Sequence, residues 1–149
     1  MSAVPVPPDP QRLDAGRCRH LLGPGGVGRV VFTAGSLPAV ATTNYAVHGG
    51  RLWFRTAAGT ALARSVTNAV VAVNVDASGP ASGEAGALAD GGGWTVTVTG
   101  RCRALDDPPE AVRGALDAWA PGVREQFFCV DLALLSGQRT PARAPAPPF

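Results

Sequence analysis

The chain has 149 residues, 46% of them hydrophobic, and a formal net charge of +2. This length predicts one domain whose core needs no disulfides. The charge is too small and too evenly spread to indicate nucleic-acid binding. No apolar run approaches the roughly 20 residues that a membrane helix needs. No basic and apolar leader opens the sequence, so we expect a cytoplasmic protein.

The residue types that carry common catalytic chemistry are scarce. All 13 basic residues are arginine, which excludes Schiff-base formation on a lysine. The three cysteines show no paired spacing and are expected to be buried thiols, and with only two histidines no metal site is predicted. No paired carboxylates or nucleophile–base spacing stands out, so the catalytic residues stay unassigned and any catalysis would be a cofactor's own.

The N-terminal part predicts a helix followed by a strand. Residues 1–9 are proline-rich and expected to be disordered. Asp9 is a candidate N-cap before Pro10 at the first helical position, and the helix should run to about Leu22, where the glycines of 23–26 end it. The apolar run at 27–33 then predicts the first strand.

A central hairpin leads into a short helix. Residues 38–47 alternate as in a strand, and His48-Gly49-Gly50 supplies the positive-φ positions of a tight turn into the returning strand 51–56. The segment Ala58-Gly59-Thr60 then offers backbone amides and a hydroxyl at a helix N-terminus. Such a position suits an anion, so the charged end of a ligand is expected there.

The remaining pattern completes a small β protein. Strands are predicted at 69–76, at 94–103 and at 127–134, with a flexible loop at 78–93 and a helix whose cap is Asp106 or Asp107. In the strand at 94–103, Trp94 and the valines face one side and the threonines the other. Residues 140–149 are expected to be a disordered tail, which leaves 10–139 as the domain. Six strands with two or three helices favour closure into a barrel, because closure protects the sheet edges.

Several motifs in this order resemble one known family. The segments GVGRVVFT, LPAVATTNYAV, LWFRTAAGT, VVAVNVD, GWTVTVTGRCRAL and VDLALLSGQR are similar to the pyridoxamine 5′-phosphate oxidase-like split-barrel flavoproteins, and more narrowly to their small actinobacterial members. The resemblance covers roughly residues 10–140. It implies a mainly β (α+β) fold: a six-stranded split β-barrel with flanking helices that forms a homodimer and binds FMN at the subunit interface.

The resemblance also assigns cofactor-binding positions. The segment 41–44 would follow the flavin ring and ribityl chain. The strand end at 55–56 matches the FMN-binding strand end of the family, and the turn at 59–60 would begin the phosphate turn. The polar residue after the tryptophan would reach the flavin. A planar guanidinium suits bidentate phosphate recognition. The assigned positions are Ala41, Thr42, Thr43, Asn44, Arg55, Thr56, Gly59, Thr60, Trp94 and Thr95.

The chain departs from the family pattern at the phosphate turn. Ala61 stands where the family usually has a lysine, and Val73-Asn74-Val75-Asp76 replaces a usual FEVD. Losing a charge-assisted contact costs about 1.5–3 kcal/mol, or roughly ten- to a hundredfold in affinity. Arg64 shares a helical face with Ala61, and we hypothesise that it substitutes for the lysine.

The resemblance implies an FMN-dependent oxidoreductase that passes a hydride between the flavin and a small organic substrate. Two alternatives stay open. In the first alternative the cofactor is a deazaflavin, which related actinobacterial members use. The missing lysine also leaves open a split barrel that has lost flavin and acts as a binding protein or as a cofactor-independent enzyme.

Overall fold

The computed structural model describes residues 11–77, 92–116 and 125–140. These ranges contain nine strands and three helices. In chain order they are β1 (Arg12–Leu13), α1 (Ala15–Leu22), β2 (Gly26–Ala34), β3 (Leu37–His48), β4 (Arg51–Ala57), α2 (Ala61–Val66), β5 (Val70–Ala77), β6 (Gly93–Arg101), β7 (Arg103–Leu105), α3 (Glu110–Ala115), β8 (Glu125–Asp131) and β9 (Leu134–Thr140). No helix in these ranges is long and apolar enough to cross a membrane.

The strands form one antiparallel sheet that curls back on itself. Its order is β1-β9-β6-β5-β2-β3-β4-β8-β7. Only Cys102 separates β6 from β7, although the two strands occupy distant places in this order. The Cys102 amide donates to the Ala69 carbonyl at 2.8 Å, and the Asn68 amide donates to the Cys102 carbonyl at 2.9 Å. One bent strand therefore pairs with β5 on one side and with β8 on the other, which closes the barrel.

The split-barrel prediction is confirmed, with added edge strands. The circuit of six consists of the bent strand β6–β7 together with β5, β2, β3, β4 and β8. Strand β9 continues the sheet beyond β6, and β1 pairs with β9. The sequence had merged β8 with the start of β9 into one strand at 127–134. The structure instead turns at residues 132–133, where the Leu132 amide donates to the Gly50 carbonyl at 3.0 Å.

The core lies inside the barrel, and a smaller apolar cluster lies outside it. Inward side chains of all six barrel strands meet α1 and α2 in the main cluster. Phe54 and Phe128 stack there with ring centroids 5.4 Å apart. On the outer face of β3, β4 and β8, the helix α3 covers a second cluster that contains Trp53 and Cys129. Helix α3 therefore shields only one part of the outer surface.

The hairpin prediction is confirmed. Gly49 and Gly50 join β3 to β4 with φ of 61° and 73°, and few side chains tolerate two consecutive positive φ values. The burial alternation in β6 also follows the sequence pattern.

Two of the three predicted helix starts were wrong, whereas α2 begins after Thr60 as predicted. Helix α1 begins after Asp14, whose carboxylate accepts from the Arg17 amide at 2.7 Å; the preceding residues pair with β9 and so satisfy their backbone in a sheet. Helix α3 begins after Pro109 with no side-chain cap. The Asp107 carboxylate pairs instead with Arg113 at 3.2 Å.

Three segments predicted to be disordered or flexible lie largely outside the described residues, namely 1–9, 78–93 and 140–149. At their borders, Gly93 is the first residue of β6 and Thr140 the last residue of β9.

Candidate functional site

A cavity of about 570 Å³ opens beside the outer face of β3 and β4. Its walls come from β3, from the loop after α1 and from the C-terminal end of α3. This volume lies within the usual range of small-molecule sites. The lining residues are Gly23, Pro24, Gly25, Gly26, Asn44, Tyr45, Ala46, Val47, Arg55, Ala115 and Leu116.

Arg55 in the cavity wall belongs to a nearly buried ion pair. The Arg55 Nε lies 3.3 Å from Glu125 Oε2, and the two side chains are 10% and 16% exposed. Among the described residues, Glu125 is the ion-pair partner of Arg55. No described residue accepts a hydrogen bond from the terminal Nη nitrogens of Arg55. A guanidinium carries five N–H donors. Arg55 therefore offers unused charge-assisted donors beside the cavity.

The predicted segment 41–44 lies on β3 next to this arginine. Ala41 and Thr43 are half-buried, whereas Thr42 and Asn44 are exposed on the outer face. The Thr43 hydroxyl donates to backbone carbonyls, that of Asn44 at 3.2 Å and that of Arg55 at 3.4 Å. Of the four residues, Asn44 lines the cavity.

A second group of predicted residues meets at the turn between β4 and α2. The Thr56 and Thr60 hydroxyl oxygens lie 3.3 Å apart, and Thr60 Oγ1 also accepts from the Ala63 amide at 3.1 Å. Arg64 donates from Nη1 to the Gly59 carbonyl, so its guanidinium folds back over the turn. Helix α2 has only six residues, and Thr60 already caps one of its amides. The positive charge at this turn therefore comes from Arg64.

The structure does not bring Trp94 and Thr95 to the cavity of the same chain. Trp94 is buried in the barrel, and its Nε1 has no partner among the described residues. Thr95 faces outward and accepts from Asn74 Nδ2 at 3.0 Å. Strands β5 and β2 separate β6 from β3, and three interstrand spacings amount to about 14 Å.

The outer face of the sheet from β9 to β3 carries an ordered row of mainly apolar side chains. Val31 lies opposite both Val40 and Ala72, Ala72 lies opposite Thr99, and Thr99 lies opposite Leu134. Val40 and Leu134 are 62% and 64% exposed. In a monomer this row would expose apolar surface to water over five strands.

One pair of opposite charges lies on the same face. The Arg29 guanidinium pairs with the Asp76 carboxylate across β2 and β5 at 2.7 Å. This pair therefore adds no net charge beside the apolar row.

The Tyr45 hydroxyl is not poised for proton transfer at neutral pH. Burial raises the pKa of Tyr45 to about 12, and its hydroxyl donates to the Leu22 carbonyl at 3.2 Å. Away from the cavity, at the bend between β6 and β7, burial and a smaller contribution from Cys129 raise the pKa of Cys102 to about 12. Within the described ranges, no three His, Cys, Asp or Glu side chains form a group that could hold a metal ion.

The fold is a small split barrel with a cavity outside its wall. A sequence profile of the family described as pyridoxamine 5′-phosphate oxidase matches residues 14–139. The chain therefore belongs to the pyridoxamine 5′-phosphate oxidase-like family.

Individual relatives agree with this assignment. The chain is 30% identical over 142 residues to the uncharacterized protein Rv0080 of Mycobacterium tuberculosis, covering 91% of this chain and 88% of that one. It is 27% identical to the FAD binding protein from Mycobacterium smegmatis, with a TM-score of 0.71 and coverage of 89% and 99%. An FAD-binding protein from Mesorhizobium loti, at 24% identity, a TM-score of 0.67 and coverage of 87% and 97%, shares the fold.

Sequence reasoning missed Glu125 as a residue of this site. Its partner Arg55 is distant in the chain, and the two meet because β4 pairs with β8 in a register that places Ala57 opposite Glu125. The only sequence signal is a carboxylate two residues before the apolar run that starts at Phe127.

Proposed function

We propose that the protein is a flavin-dependent oxidoreductase that binds FMN and transfers a hydride between the flavin and a small organic substrate. The observation that carries this proposal is the nearly buried guanidinium of Arg55 beside a cavity of about 570 Å³, with terminal donors that no described residue occupies. Family membership and the relative from Mycobacterium smegmatis, which binds FAD, support a flavin as the ligand.

The residues present fit a flavin at two places. The ring would lie in the cavity along β3, where Asn44 and Arg55 supply polar groups and Ala46, Val47 and Leu116 supply apolar contact. The ribityl chain would follow segment 41–44. The bound flavin supplies the redox chemistry, and this chain binds it, orients it and limits access of water.

The phosphate would lie at the turn between β4 and α2. Thr56 and Thr60 place two hydroxyls there, and Arg64 brings the positive charge that the family lysine otherwise provides. We propose that Arg64 takes over this role. A guanidinium is well suited to it, because its donors match phosphate oxygens in pairs.

A second copy of the chain would complete the site. The apolar row from Val40 to Leu134 is the surface that a homodimer would bury. Because Trp94 and Thr95 lie far from β3 within one chain, Thr95 would reach the flavin of the partner rather than its own. We therefore propose a homodimer with two flavin sites at the interface, in a cytoplasmic protein.

A different flavin is the second candidate. The Mycobacterium smegmatis relative is an FAD binding protein, and Ala61 in place of a lysine weakens the case for FMN in particular. A deazaflavin would use the same ring cavity.

Absorbance of the purified protein tests the proposal. We expect a yellow protein, or a colourless one that quenches the fluorescence of added FMN, with tighter binding of FMN than of FAD or a deazaflavin. Tighter binding of one of the latter would replace FMN and keep the enzyme class. A protein that binds none of the three would refute the flavin function and favour a binding protein or a cofactor-independent enzyme.

A further inference from the structure

The ion pair of Arg55 and Glu125 brings no net charge to the cavity. Glu125 Oε2 lies 3.3 Å from Arg55 Nε, and both side chains are largely removed from water. Charges in such a position are poorly screened. A phosphate on the Nη groups would lie close to the Glu125 carboxylate, and like charges disfavour each other. An uncharged acceptor meets no such repulsion.

The position of the bond also decides which donors stay available. Glu125 binds the guanidinium through Nε, which holds its plane and leaves the terminal Nη groups for a ligand. Asn44 lines the same cavity and adds an amide that both donates and accepts. Two such groups complement an edge on which carbonyl oxygens alternate with an N–H, as in the pyrimidine ring of a flavin.

We propose that Arg55 and Glu125 form one neutral unit that binds the uncharged carbonyl edge of the flavin ring, with Glu125 as its positioning residue. This inference rests on the proposed function and gives the two arginines of the site different roles. Arg55 recognises the ring, whereas Arg64, which is exposed at the turn and bonded to the Gly59 carbonyl, recognises the phosphate.

Riboflavin and FMN distinguish the two roles, because they share the ring and differ only in the phosphate. Binding is measured by quenching of flavin fluorescence. Arg55→Gln is combined with Glu125→Gln, so that no buried carboxylate is left unpaired. We expect the double variant to bind riboflavin and FMN more weakly than the wild type by the same factor, roughly ten- to a hundredfold. Arg64→Ala should weaken the binding of FMN by a similar factor and leave the binding of riboflavin unchanged.

The role of Glu125 has its own readout. Glu125→Gln keeps Arg55 but leaves its charge unbalanced beside the ring, so the reduction potential of the bound flavin should rise relative to that of the wild type. A merely structural role of Glu125 would not move the potential. Circular dichroism and thermal melting confirm that each variant is folded.

Three results would overturn the inference. One is an Arg55 variant that weakens FMN but leaves riboflavin unchanged, because Arg55 would then hold the phosphate. Another is an unchanged reduction potential in folded Glu125→Gln that still binds FMN. The third is a wild-type protein that binds neither flavin, which removes the proposed function as well; the first two leave that function intact.

Discussion

The hydroxyl of Tyr45 donates a hydrogen bond of 3.2 Å to the carbonyl of Leu22 and so fastens β3 to the end of α1. Tyr45 is 4% exposed, so the bond is shielded from water. Tyr45→Phe should lower the free energy of unfolding by about 1 kcal/mol, measured by urea denaturation. Ala133→Ser, at an exposed turn, should change it by less than about 0.5 kcal/mol. Equal stability of the Tyr45 variant and the wild type would contradict the prediction.

Alkaline pH should destabilise the protein. The pKa values of Tyr45 and Cys102 are raised from 10.0 and 9.0 to about 12, so the folded state holds both protons more tightly than the unfolded state does. The stabilisation is complete below about pH 9 and is lost as the pH rises toward 12. Unfolding free energy measured between pH 8 and 11 should therefore fall. In Cys102→Ala the fall should be shallower, because burial also raises the pKa values of Cys18 and Cys129, which still act from about pH 9 upward. An unchanged slope would count against the assignment.

A charge in the apolar row should separate the subunits of the proposed dimer. Val40 lies opposite Val31 in this row, and Val40→Arg would place like charges together at a self-associating face. We expect a monomer by sedimentation velocity. Leu37→Arg is the control, because Leu37 is 69% exposed but lies at the hairpin end outside the row. A wild-type chain that sediments as a monomer would disprove the dimer itself.

The family lysine should rescue the loss of Arg64. Arg64→Ala removes the cation at the turn and should weaken FMN roughly ten- to a hundredfold. Adding Ala61→Lys returns a cation one helical turn earlier, and should recover most of the affinity in a fluorescence titration. Ala61→Arg serves as a second form of the rescue. Failure of both substitutions would mean that the phosphate does not lie at this turn.

Close packing against α1 requires a glycine at position 137. A Cβ at this position would overlap the Cys18 sulfur, and overpacking of this kind costs about 1–3 kcal/mol. Gly137→Ala should therefore lower the melting temperature. Cys18→Ala removes the sulfur, so the double variant should be less destabilised than the sum of the two single variants. Strict additivity would show that the two residues do not interact.

Local patterns were sufficient where one segment determines its own structure. The glycines at 49–50 specify the hairpin, and the alternation from Trp94 onward specifies β6 and its two faces. The run at 127–134 was harder, because neither glycine nor proline marks its turn and Leu132 is buried although it lies in the turn. The two helix starts were missed because several aspartates compete, and sheet pairing by Arg12–Leu13 decided the first of them.

The site was only partly predictable, because it depends on register between distant strands. That Asn44 and Arg55 lie close together in the cavity wall could be expected from one hairpin and its family motif. Glu125 could not, since its position beside Arg55 follows from the pairing of β4 with β8. The separation of Thr95 from β3 likewise became visible only with the strand order.

The bent strand at Cys102 has a consequence for how the barrel comes apart. Its amide and carbonyl are bonded to Ala69 and Asn68, while the strand on either side of it is paired to different neighbours. The barrel therefore cannot open at Cys102 without breaking main-chain hydrogen bonds on both sides of this residue. Deuterium uptake at the Cys102 amide should therefore be among the slowest in the chain and should report complete loss of structure rather than local fraying.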